Sequence, residues 1–185
     1  MKKDNKILLH SCCAICSAYP ISHLRELGYE PVVYFFNPNI FPECEFNKRL
    51  GAQKELCKNL NCELIIESYE PKYHEIISFG LEDEPEKGKR CAKCFEMRLT
   101  QSAKKAKELG IKSFTTTIVI SPHKSFELIS KLGKTISNKY GINYLDIDFK
   151  KNDGFLKSNQ KAKELGLYRQ NYCGCKYSMG AKNGV

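Results

Sequence analysis

Seven of the ten cysteines in this 185-residue chain fall into three tight groups: Cys12, Cys13 and Cys16; Cys91 and Cys94; Cys173 and Cys175. Thiolates at Cys-x-x-Cys spacing sit one helical turn apart and can ligate a metal or exchange electrons through a disulfide. Cys91-x-x-Cys94 opens a helical pattern, where the N-terminal dipole and the charges of Lys89, Arg90 and Lys93 favour the thiolate. Cys13-x-x-Cys16 offers the same geometry. Two such pairs make a four-thiolate zinc site if the fold joins them, but zinc leaves Cys12, Cys173 and Cys175 without a use. Four thiolates also hold an iron–sulfur cluster, and the adjacent Cys12 and Cys13 reach different irons of a cuboidal cluster more readily than they chelate one zinc. The thiols beyond four then hold a second metal or shuttle electrons by disulfide exchange. Three readings stay open at this point: an iron–sulfur enzyme, a zinc-stabilised nucleic-acid-binding module without catalysis, and a thiol-disulfide oxidoreductase. Of the remaining cysteines, Cys57 and Cys62 read as small apolar packing groups, and Cys44 stands in a polar stretch with no assigned role.

Composition narrows the setting of this chemistry. No apolar run approaches the ~18 residues of a membrane span, and the basic start Met1-Lys2-Lys3-Asp4-Asn5-Lys6 leads into an apolar run too short for a signal peptide. A cytoplasmic protein without a membrane partner is therefore expected. In that reducing compartment the cysteines point to metal or redox work rather than structural disulfides. The formal charge of +9 suits a polyanionic partner such as nucleic acid.

The elements that must position these groups follow from the hydrophobic pattern. Residues 6–10 read as a strand that stops at the first cysteines, and 18–27 as a helix closed by Gly28. Residues 30–37 form a second strand, 43–59 a helix and 62–67 a third strand, with the two-proline loop Asn37-Pro38-Asn39-Ile40-Phe41-Pro42 between. A short helix is expected at 73–79, a charged loop at 81–90 and a long helix at 91–109. A fourth strand spans 113–121, a helix 125–140 and a fifth strand 143–149. Near-continuous apolar strands alternating with helices imply one α/β domain over residues 1–185. Its sheet should be open, doubly wound and parallel, with about five strands. The irregular, cysteine-containing tail, about 150–185, is expected to pack over the metal site. With strand order 3-2-1-4-5 the crevice lies at the carboxyl ends of strands one and four, where His10-Ser11-Cys12 and Ser121-Pro122-His123-Lys124 end. A nucleotide-binding enzyme of this architecture wants a glycine-rich phosphate loop after strand one, and His10-Ser11-Cys12-Cys13 is no such loop. His23 and His74 read as surface residues.

The motifs resemble those of a known family. Leu9-His10-Ser11-Cys12-Cys13-Ala14, Phe36-Asn37-Pro38-Asn39-Ile40, Arg90-Cys91 with Cys94-Phe95, Met97-Arg98-Leu99, Phe114-Thr115-Thr116-Thr117, Ser121-Pro122 and Tyr168-Arg169-Gln170 with Tyr172-Cys173-Gly174-Cys175 are similar to the epoxyqueuosine reductases of the QueH type. Ile15 stands where that family commonly has proline. The resemblance implies a nucleotide-binding-like (HUP or PP-loop-like) sheet whose phosphate loop is exchanged for cysteines. It also implies a [4Fe-4S] cluster with an additional iron ion beside it, and reduction of an epoxide on a tRNA base to an alkene as the last step of queuosine synthesis.

Carried onto this chain, the resemblance assigns the cluster to Cys12, Cys13, Cys91 and Cys94. Ligands of the second iron are expected among Cys16, Cys173, Cys175 and Asp83. His10, Asp83 and Tyr172 are the candidate catalytic groups, and Tyr168 and Tyr172 could stack on a splayed base. Lys87, Lys89, Arg90, Lys93 and Arg98, with Arg169 and Lys176, form the basic set expected to meet tRNA phosphates. Deoxygenation consumes two electrons, so an electron donor of the ferredoxin or flavodoxin kind is a further expected partner.

Overall fold

The computed structural model of the protein describes residues 5–179. Ile7, Leu8 and Leu9 of β1 (Lys6–His10) are fully buried, which is why this strand carries no polar alternation. β1 lies at the centre of an all-parallel sheet ordered β3-β2-β1-β4-β5, with β2 at Glu30–Phe35, β3 at Glu63–Ile66, β4 at Ser113–Thr116 and β5 at Asn143–Tyr144. This is the expected doubly wound order, and its switch point falls between β1 and β4. His10 ends β1 in register with Tyr34 on one side and Thr116 on the other.

Helices cover the sheet in two groups. α1 (Ala14–Glu26) packs with α2 (Glu43–Asn59) and with α6 (Gly154–Glu164). α4 (Lys89–Glu108) packs with α3 (Lys72–Ser78) and α5 (Phe126–Tyr140). Among the described residues no helix is long and apolar enough to cross a membrane.

Beyond shifts of one or two residues at element ends, four features differ from the sequence reading. α1 begins at Ala14 rather than at residue 18, because Cys13 is its N-cap: the backbone there is extended and Sγ accepts from the Cys16 N–H at 3.5 Å. β4 ends at Thr116 rather than 121. There the Thr116 hydroxyl accepts from Ile118 N at 3.2 Å and starts a 3-10 turn over Thr117–Ile120, all four residues buried. β5 is two residues rather than seven, although the apolar side chain of Phe149 beyond it is still buried. The tail contains a regular helix, α6, whose first residue must be glycine, since a Cβ on Gly154 would lie 1.9 Å from the Phe149 carbonyl oxygen. His74, read as a surface residue, is buried at 6 % exposure between α3 and the tail, with its ring 6.2 Å from that of Tyr177.

Candidate metal centre

The chain leaves β1 into a turn that is tied down on every side. Ser11 N donates to the Tyr34 carbonyl of β2, and Ser11 Oγ lies 2.6 Å from both Ser17 Oγ and Gln53 Oε1. Cys12 N donates to the Thr117 hydroxyl at 3.2 Å. This bracing aims Cys12, Cys13 and Cys16 at one another, and their three Sγ atoms lie within 4.8 Å of each other. Negative charge on the trio settles on Cys12. Hydrogen bonds with Cys13 and Cys16, then the Arg98 charge and the Thr117 hydroxyl, hold the Cys12 thiol well below its usual range against the cost of burial. Cys13 is correspondingly pushed up to about 12 by its hydrogen bond with Cys12, and Cys16 is raised for the same reason.

Beneath the turn runs a buried polar chain. Arg98 of α4, 4 % exposed, donates from Nη2 to Asn37 Oδ1 at 2.7 Å and from Nε to His10 Nε2 at 3.3 Å, while Asn37 Nδ2 donates to the Ser11 carbonyl at 2.8 Å. His10 Nε2 also lies 3.2 Å from the Phe36 carbonyl oxygen, and Nδ1 lies 2.9 Å from Thr116 Oγ1. Burial, and then the Arg98 charge, lower the His10 pKa to about 3, so the ring is neutral.

A second group of thiols joins the start of α4 to the tail. Cys91 and Cys94 sit in the first turns of α4, and both are pushed up, chiefly by burial, with the charges of Cys173 and Cys175 adding to the effect; Cys94 reaches about 12. Cys173 accepts from Lys124 Nζ at 3.1 Å, and Lys124 also pairs with Glu86 at 3.2 Å. Gln170 Nε2 donates to Cys13 Sγ at 2.8 Å. The cavity that the trio shares with Cys173 is about 160 Å³ in volume. Cys12, Cys13, Cys16 and Cys173 line it together with apolar Phe95 and Ile118 and with Arg49, Arg98 and Lys124. Soft thiolate donors gathered beside four cations, Lys87 being the fourth, suit an anionic iron–sulfur or thiolate-bound metal centre, and carboxylate-seeking ions such as magnesium find only Glu86 here.

A family model described as Epoxyqueuosine reductase QueH matches residues 7–181. The chain belongs to this family. Proteins named Epoxyqueuosine reductase QueH from Staphylococcus epidermidis, Thermotoga maritima and Dehalococcoides mccartyi are 40%, 34% and 38% identical to it. These alignments cover 97%, 94% and 94% of this chain and 78%, 90% and 92% of the respective relatives.

Seen as a QueH protein, the chain places its sequence-marked residues unevenly. Cys12, Cys13, Cys16 and Cys173 meet on the cavity, whereas Cys91, Cys94 and Cys175 are not among its lining residues. Asp83 is exposed in the loop before α4 and outside the lining; Glu86, three positions on, lines the cavity in its place. The sequence reading put Asp83 first among the four acids of that loop. Tyr172 donates from its hydroxyl to the Phe41 carbonyl and lies under the Arg49 guanidinium at 5.1 Å, away from the lining. His10 is fully buried.

The basic set divides. Lys87, Lys89, Lys93, Arg169 and Lys176 are exposed, and Lys87 also lines the cavity. Arg90 is turned inward and donates from Nη1 to the carbonyls of Leu81, Glu82 and Glu84, and Arg98 is spent on the His10 and Asn37 network. Arg49 and Gln53 carried no signal in the sequence reading, and Gln170 stood there only as part of the Tyr168-Arg169-Gln170 motif, without a role. Glu45 and Arg49 stand at i,i+4 on a polar helix, a spacing that reads as a surface pair, yet both are buried.

Proposed function

We propose that the chain reduces epoxyqueuosine in tRNA to queuosine, with a [4Fe-4S] cluster and an adjacent iron at the thiol-lined cavity. The observation that carries this reading is the meeting of the Cys12–Cys13–Cys16 trio with Cys173 on one cavity at the carboxyl end of β1, flanked by Arg49, Arg98 and Lys124. Cys12, Cys13, Cys91 and Cys94 would hold the cluster. Cys16, Cys173, Cys175 and an acid of the 82–86 loop, Asp83 or Glu86, would supply the second iron. When bound, these groups supply two electrons in single-electron steps and a Lewis acid for the epoxide oxygen.

The rest of the work falls to side chains. Phe95 and Ile118 give the base an apolar wall and exclude water from part of the cavity. Burial pulls the Lys124 ammonium down, but Cys173 and Glu86 outweigh that and hold it charged. A cation there offsets negative charge growing on oxygen as the C–O bond opens. His10 works in this reading by fixing Arg98 and the Ser11 turn, since a neutral, fully buried ring has no path to the substrate. The exposed lysines 87, 89, 93 and 176 and Arg169 are suited to phosphates of the anticodon arm. The reading also includes a cytoplasmic setting, a single folded unit and a ferredoxin- or flavodoxin-like donor.

Protein purified without oxygen tests this directly. Iron with acid-labile sulfide, broad absorbance toward the blue and conversion of epoxyqueuosine tRNA under a chemical reductant are expected. A colourless protein with stoichiometric zinc would overturn the reading in favour of a zinc-stabilised nucleic-acid-binding module, and metal-free protein active on disulfides would favour a thiol oxidoreductase.

A further inference from the structure

Gln170 is 6 % exposed, lines the cavity and uses only half of its carboxamide. Nε2 donates to Cys13 Sγ at 2.8 Å, while Oε1 is buried with no hydrogen-bond partner. Among the described residues, the other buried side-chain atoms left unpaired belong to Asn39, Ser78, Arg90, Tyr144 and Asp146, and none of these lines the cavity.

The sulfur fixes which end of the amide faces it. Cys13 Sγ also accepts from Cys16 N at 3.5 Å as the cap of α1 and from Cys12 Sγ, 4.0 Å away. As a metal-bound thiolate Cys13 presents only an acceptor to Gln170, and the NH2 must point at it, as it does here. The oxygen is left over by necessity, and an amide oxygen buried without a donor costs free energy that a bound donor returns.

We propose that Gln170 is a substrate-binding residue whose Oε1 accepts a hydrogen bond from an O–H or N–H group of the epoxide-bearing nucleoside while Nε2 holds Cys13. The inference rests on the substrate reading above and adds to it a residue that recognises the modification itself. The link makes docking of the nucleoside and orientation of a cavity thiol one event, because a single planar amide carries both bonds.

The test compares binding of two anticodon stem-loop RNAs, one carrying epoxyqueuosine and one carrying guanine at the same position, to the anaerobically purified protein. The parent is expected to prefer the modified RNA. Gln170→Met, which keeps the shape and removes both polar atoms, should lose about tenfold of that preference and bind the guanine RNA as the parent does. Gln170→Glu, which keeps an acceptor in place, should retain the preference to within about twofold.

Retention of the full preference by Gln170→Met, or its loss by both variants, would overturn the inference. If Gln170→Met does not fold, Gln170→Glu decides alone: preference kept supports the inference and preference lost overturns it. A parent protein with no preference for the modified RNA would instead sink the substrate reading on which the inference rests.

Discussion

Arg49 Nη1 donates to the main-chain oxygen of Cys173 at 3.1 Å, across 124 positions of sequence. The same guanidinium reaches the Tyr172 carbonyl at 3.1 Å and Glu45 at 2.7 Å, and the other oxygen of Glu45 accepts from the Tyr168 hydroxyl at 2.7 Å. A buried ion pair on α2 thus clamps the segment that delivers Gln170 and Cys173 to the cavity. Two buried charges cost more to desolvate than an apolar pair of the same size, so the value of this pair lies in where it holds the tail.

Removing one partner exposes that role. Arg49→Met leaves the Glu45 carboxylate, with a side-chain exposure of 7%, without its countercharge, at a cost of about 3 kcal/mol. The urea midpoint should fall accordingly, and trypsin should cut after Arg169 and Lys176 faster than in the parent. An unchanged midpoint together with unchanged cleavage would show that the clamp is not what holds the tail.

Acid should weaken the fold through His74. Burial first, then the charges of Arg98, Arg90 and Lys176, lower its pKa to about 4 from 6.5. The unfolded chain binds this proton more readily than the folded one, so the stability His74 contributes is whole above pH 6.5 and lost as pH falls toward 4. Within that window the parent should lose about 1 kcal/mol per pH unit more than His74→Gln. Urea unfolding of both proteins at pH 6.5 and pH 5 measures the difference; parallel losses would contradict it.

The division of the basic residues makes a prediction about RNA. Lys89 and Lys93 are exposed at the start of α4, so Lys89→Ala and Lys93→Ala should each weaken tRNA binding and reduce the slope of log K against log salt by about 0.7. Arg98→Met should leave that slope alone. Its effect is on stability, by roughly 1–3 kcal/mol, because Asn37 Oδ1 and His10 Nε2 lose a buried donor. A reduced slope in Arg98→Met, or none in the lysine variants, would reverse the roles given to these residues.

Sheet order and the location of the crevice were legible because continuous apolar strands and alternating helices leave few topologies. Thiol groups were legible because cysteine is scarce and its spacing is exact. What stayed hidden was set by tertiary contacts. Thr116 ends β4 with a side-chain hydrogen bond that its β-branched neighbours disguise. Arg49 and Glu45 look like a solvated pair until the tail covers them, and α6 is polar enough to read as irregular until α1 supplies its partner. Glu86 rather than Asp83 lines the cavity, in a loop that turns through Lys87, whose φ is 73°, a conformation the sequence marks only through the neighbouring Gly88.

Replacing single thiols should separate the two metals of the proposed site. Cys12 is a proposed cluster ligand, with its Sγ within 4.8 Å of those of Cys13 and Cys16 and 3.4 Å from the Thr117 hydroxyl. Cys12→Ser should therefore lose most iron and nearly all acid-labile sulfide. Cys173 stands apart from the trio, held by Lys124 at 3.1 Å and by the Arg49 clamp on its carbonyl. Cys173→Ser should lose about one iron and keep its sulfide, since a lone ion carries none. Both counts are made on protein prepared without oxygen. Equal loss of sulfide in the two variants would mean that Cys173 serves the cluster itself, and full retention of iron in Cys173→Ser would make that residue a redox thiol rather than a ligand.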